Sequence, residues 1–223
     1  MVFVEENSLY RRFNKVWHVL GAVIALSVAY SFTKAESSDV NKSMFGSCLI
    51  STMSFIFAWG FNMGMMSWVS FIAGLVMYKN LDRPTFAFIQ SKLFPIYFAV
   101  MGILSGVQFA IFMASKQNLQ KLSRHELTVA VSIFSGILCG FLNSVWIGPA
   151  TSKLGFKKLA IEKEEGVVPP DPKLKDNAEY RSLSKQFGKY HGISSLLNLF
   201  AFSGSMYVMY FIATELFLVT SSI

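Results

Sequence analysis

An unbroken run of thirty-six uncharged residues, 43–78, constrains this chain more than any other feature. A helix of a water-soluble domain shows a polar face, and this run has none. About 20 apolar residues cross a bilayer at ~1.5 Å per residue, so the run crosses with length to spare. Its small residues are spaced by four, Gly60 with Gly64 and Ser70 with Gly74. That spacing lets helix backbones approach closely inside lipid.

The rest of the composition follows suit. Hydrophobic residues make up 53% of the chain and charged ones only 15%, confined to segments between apolar runs. A net charge of +7 would point to nucleic acid in a soluble protein. Here the Lys and Arg residues flank membrane spans, where they set orientation, so nucleic acid is not an expected partner. Cys48 and Cys139 both fall in apolar runs, as packing residues and not as a disulfide framework or zinc site.

Four further apolar runs are residues 16–33, 93–115, 127–148 and 193–219. If 16–33 crosses, one side of the membrane holds residues 1–15, 79–92 and 149–191 with 15 Lys and Arg, against 5 on the other. If it does not, the split is 12 to 8. The sharper asymmetry favours five spans, with the N-terminus and the 149–191 loop on the positive, matrix or cytosolic, side and the C-terminus opposite. The expected fold is an all-α polytopic membrane bundle of about five transmembrane helices. Residues 1–47 form a tail, an added helix and a polar loop; residues 48–223 form a four-helix membrane domain with a charged helical loop at 149–191.

Local signals refine this. Pro84 opens a short interfacial run, Ser91 caps the next span, and Pro95 stands in its first turn, where a missing N–H does no harm. Gly102 and Gly106 give that span a close-approach face. Ser132, Gly136, Gly140, Ser144 and Gly148 recur every four residues in the next one, a continuous small-residue stripe. Trp146 marks the interface, and Pro149 is expected to interrupt the helix. Residues 151–165 read as a charged helix broken at 166–172, and 177–188 as a second polar helix leading to the last span.

Spans two to four contain no ionisable residue in mid-membrane, which a pump or transporter needs, and Glu215 lies near the end of the last. His18 beside Trp17 reads as an interface anchor or, less simply, a ligand. Met63, Met65 and Met66, with Met53, Cys48 and Cys139, offer soft sulfur suited to copper(I), or fill gaps between helices. Asn62, Gln108, Asn143 and Asn198 are the amides that would line a lipid groove, if one exists. No phosphate loop, nucleophile elbow or His/carboxylate cluster is present, so neither an enzyme nor a bound cofactor is expected.

Three stretches together resemble the transmembrane protein 205 family. The first is Gly64 to Phe71, including Trp68, followed by Leu81, Arg83, Phe86 and then Gln90-Ser91-Lys92-Leu93-Phe94-Pro95-Ile96-Tyr97-Phe98. The second is Asn143, Trp146 and Pro149, with Glu162-Lys163-Glu164-Glu165-Gly166 beyond. The third runs from Tyr190-His191-Gly192 to Asn198 and Leu199. The resemblance implies a four-helix membrane domain and a role in vesicle traffic or in drug and soft-metal efflux. Three polar positions depart from it. Met66 stands where the family commonly has glutamine, Gly148 where an acidic residue precedes the proline, and Val145 where some members have arginine. His191, within the third stretch, would hydrogen-bond across to the Gln90–Lys92 corner or bind a headgroup or partner loop.

The expected function is therefore that of a non-catalytic accessory subunit or scaffold of a larger membrane assembly, such as a mitochondrial inner-membrane respiratory or ATP synthase complex. Its partners would be other membrane subunits and lipids. An endomembrane trafficking or efflux protein is the alternative, and lipid binding a third.

Overall fold

The structure, a computed structural model, describes residues 49–116 and 122–221. The described residues form four long helices, α1 (Leu49–Asn80), α2 (Arg83–Ala114), α3 (Arg124–Glu165) and α5 (Ala178–Ser221), with a short α4 (Pro172–Asp176) before the last. Short connections make successive helices antiparallel neighbours, so the bundle runs up, down, up, down. Each long helix is apolar and long enough to cross a membrane. The apolar segment 16–33, with His18 and Cys48, lies outside the described residues.

Helix starts are set by side chains that satisfy otherwise orphaned backbone N–H groups. The Asp82 carboxylate accepts from the Thr85 N–H at 3.1 Å with Pro84 in the first turn. Ser123 and Glu126 cap α3 reciprocally. The Asn177 side chain accepts from the Tyr180 N–H at 2.9 Å. At the far end of α3, Gly166 takes the left-handed conformation (φ 65°), and the Val167 N–H donates back to the Glu162 carbonyl at 3.1 Å.

Three expectations about helix ends are corrected. The cap at Asp82 starts α2 ten residues before the apolar run, so no separate interfacial segment exists. Ser91 does not cap it but donates to the Phe88 carbonyl at 2.7 Å, and Pro95 is buried within the helix. Pro149 does not interrupt α3. A wide π turn over Asn143–Ile147 stands just before it, closed by the Gly148 N–H on the Asn143 carbonyl, and relieves the clash a proline ring makes with the preceding turn. A Cβ at residue 148 would lie 2.5 Å from that carbonyl, so glycine there suits the turn and the family's acidic residue would not. Finally, the polar helix and the last span are one helix. Gly188 and Gly192 are helical within α5, and a Cβ at either would meet nothing within 4 Å.

α3 is the centre of the bundle and packs on both α2 and α5. About half of its most apolar stretch is buried, against about a tenth for α1. Two apolar layers form the core. One gathers Phe55, Ile111, Phe112, Val129, Ile133, Val208 and Phe211; the other gathers Met66, Tyr97, Phe98, Met101, Cys139 and Ala201.

Candidate functional site

The small-residue stripe of α3 works as a contact surface. A Cβ on Gly140 would lie 2.8 Å from the Phe98 carbonyl and 2.9 Å from the Gly102 nitrogen, so the α2 and α3 backbones touch here. A Cβ on Gly136 would strike the Ser105 hydroxyl, and Ser144 is fully buried. The other flank is served by Gly204 of α5, where a Cβ would meet the Ser132 carbonyl at 2.9 Å. Gly106 is half-buried on α2.

The same device on α1 is bare. Gly60 and Gly64 are exposed and have nothing within 4 Å of a Cβ position among the described residues. The nearest atom to a Cβ on Gly74 is the Val69 carbonyl of its own helix, at 3.3 Å. α1 turns Asn62 and Met66 inward, Gly60 and Gly64 look out beside exposed Phe57 and Phe61, and Gly74, also expected to pack helices, is half-buried.

Between the two apolar layers lies a polar one. Asn62, Ser105, Gln108, Ser132, Gly136 and Ser205 surround a cavity of about 10 Å³, room for a single water. The Asn62 amide donates to the Ser105 hydroxyl at 3.1 Å, while its buried carbonyl oxygen has no partner among the described residues. Gln108 donates to the Leu104 carbonyl of its own helix at 3.2 Å. Asn143 donates to the Ser194 carbonyl at 3.3 Å. Asn198 donates to the Ser70 hydroxyl at 2.8 Å and accepts from Tyr97. Asn62, Gln108 and Asn143 are each no more than 3% exposed; Asn62, Asn143 and Asn198 tie helices together, and these amides do not line a lipid-sized groove.

A charged clamp closes the end of the bundle where α1 meets α2 and α3 meets α5. It lies beyond the apolar stretches that cross the membrane. Arg83 of α2 donates through Nη2 and Nε to the Glu162 carboxylate of α3, at 2.9 and 3.3 Å, and the Tyr180 hydroxyl of α5 donates to the same carboxylate at 2.6 Å. Glu162 is 5% exposed, and a buried carboxylate needs such partners. Burial, and then the bond to Glu162, push the Tyr180 hydroxyl up to about 12. The Lys158 ammonium sits over the Tyr180 and Phe187 rings at 5.2 and 5.1 Å. Burial, with repulsion from Arg83, holds its amine below the usual lysine range.

Other expected site residues are scattered. His191 is exposed and stacks on Phe187 at 5.6 Å, not on the Gln90–Lys92 corner. The ammonium of Lys92 lies over Phe88 at 5.4 Å. Gln90, Pro149, Tyr190 and Gly192 are half-buried, and Trp146 is exposed at the surface, as is Val145. Met66 is buried, with Met63 and Met65 packed beside it, in the layer that holds Met101 and Cys139. Among the described residues no cluster of His, Cys, Asp and Glu is arranged to hold a metal. Sequence reasoning missed Ser105, Tyr180, Lys158 and Gly204 as site members. Gly204 had a signal in its serine neighbours; Tyr180 had none.

Four apolar crossing helices, docked on small residues around a thin polar layer, define a polytopic integral membrane protein. A family model described as a domain of unknown function (DUF4149) matches residues 57–159. Transmembrane protein 205 of Danio rerio is 33% identical over 152 residues, covering 64% of this chain and 80% of that relative. The chain belongs to the transmembrane protein 205 family. No solved structure matches it.

Proposed function

We propose that this chain is a non-catalytic scaffold or accessory subunit of a larger membrane assembly, docking to other membrane proteins through the outer face of α1. One observation carries the reading: Gly60 and Gly64 stand on an exposed face with nothing against them among the described residues. Glycine weakens a helix by about 0.5–1 kcal/mol relative to alanine. On a face that meets only lipid tails it returns nothing, whereas against a partner helix it permits close backbone contact. Native electrophoresis of gently solubilised membranes, with the chain tagged at its C-terminus, tests this. Migration in a discrete large assembly supports the proposal, and its respiratory, ATP synthase or endomembrane partners would name the membrane. Migration as a small species counts against it.

A second reading, soft-metal or drug efflux, rests on Met63, Met65, Met66, Met101 and Cys139 meeting in one layer from three helices. Copper(I) binding that disappears when Met63, Met65 and Met66 are changed to Leu would support it. Unchanged binding would count against it.

A further inference from the structure

Beyond the apolar stretches, α3 and α5 continue side by side as a hairpin in which charge is segregated by height. Residues 149–161 and 181–192, nearest the membrane, contain six Lys or Arg and no Asp or Glu. Residues 162–179, at the tip, contain six acidic and three basic residues. Of the six basic residues, Lys158 points inward over Tyr180 and Phe187. The other five, Lys153, Lys157, Arg181, Lys185 and Lys189, are exposed.

Their spacing places them. Lys153 and Lys157 are four apart, as are Arg181, Lys185 and Lys189, so each set forms one stripe. On α5 the stripe lies opposite Tyr180, Leu183 and Phe187, the side turned toward α3. None of the five side chains makes an ion pair or hydrogen bond among the described residues. Counting from the ends of the apolar stretches at 148 and 193, Lys189 and Lys153 stand ~6–8 Å out, Lys185 and Lys157 ~12–14 Å, and Arg181 ~18 Å. The headgroup layer of one leaflet is ~5–8 Å deep, and long basic side chains reach down to it. Glu164 and Glu165 stand ~24–26 Å out, more than a Debye length of ~8 Å above the collar's middle, and are screened from the headgroups.

We propose that these five residues form a collar that binds anionic phospholipid headgroups. The helices are continuous with the membrane spans, which hold Lys153 and Lys189 at headgroup level and Lys157, Lys185 and Arg181 above it, within about a Debye length of the anionic surface. Ala160, Ser182 and Gln186 are the exposed neighbours on these faces, not aromatic rings on which nucleic-acid bases stack.

Spin-labelled lipids around the full-length protein, reconstituted in phosphatidylcholine, test the collar. Spin-labelled phosphatidylglycerol associates with the protein roughly fivefold more than spin-labelled phosphatidylcholine, the weight of about one basic residue near a membrane surface. Added salt shrinks the excess. Changing all five residues to Gln brings the ratio close to one, while Lys153, Lys157, Lys185 and Lys189→Arg preserve it. Equal association of both lipids with the unaltered protein overturns the proposal, as does an excess that survives the five Gln substitutions.

Discussion

In α3, Gly136 and Gly140 lie so close to α2 that an added Cβ would strike Ser105 or the backbone of Phe98 and Gly102; in α1, Gly60 and Gly64, spaced identically, face nothing within 4 Å among the described residues. The spacing of small residues thus sets what a helix face can do, and the neighbours decide whether it is used. α3 has helices on both flanks and spends its stripe inside the molecule. α1 sits at the edge, held by Asn62, Trp59 and Met66, and keeps its stripe outside.

The sharpest way to break this comparison is to add one methyl group to each face. Gly140→Ala is expected to cost about 3 kcal/mol or more, because backbone atoms cannot move aside as a side chain can. Thermal unfolding in detergent reads the loss, and an unchanged midpoint would refute the close crossing. Next in size, Arg83→Met leaves the buried Glu162 carboxylate with Tyr180 alone and is expected to cost about 2 kcal/mol. Circular dichroism on heating checks whether the clamp end loosens.

Gly60→Ala with Gly64→Ala should leave the purified protein as stable or stabilise it by up to about 1–2 kcal/mol, from helix propensity at the two positions. Clear destabilisation in the same unfolding assay would mean that the α1 face is covered within the chain itself. The smallest effect is expected at the opposite end of the bundle. There the bond from Lys116 at 2.8 Å, with the capping bond from the Ser123 N–H, holds Glu126 at about 2. A depressed carboxylate stabilises fully above the ordinary range near 4.5 and loses that contribution as pH falls toward 2. Glu126→Gln should therefore flatten the stability–pH curve in that window and nowhere above it.

Much of the architecture was legible because lipid leaves a helix few alternatives. Uncharged length located α1, and the four-residue stripe located the crossing face of α3. The helix ends were less legible. Pro95 and Pro149 read as boundaries because proline usually is one, but a cap at Asp82 and a π turn over Asn143–Ile147 overrode them. The outward direction of Gly60 and Gly64 was not legible either, since periodicity gives a face but not what lies against it. The clamp joins residues 79 and 18 apart; Arg83 and Glu162 stood in the family stretches, but only the packed helices bring Tyr180 to them.

The most direct test of the docking face is a photo-crosslinking side chain in place of Phe61, with one in place of Phe134 on the outer side of α3 for comparison, irradiated in native membranes. If α1 docks other proteins, the Phe61 position yields a discrete crosslinked protein that the Phe134 position does not. Crosslinks from Phe61 to lipid alone, or only to another part of the same chain, would contradict it.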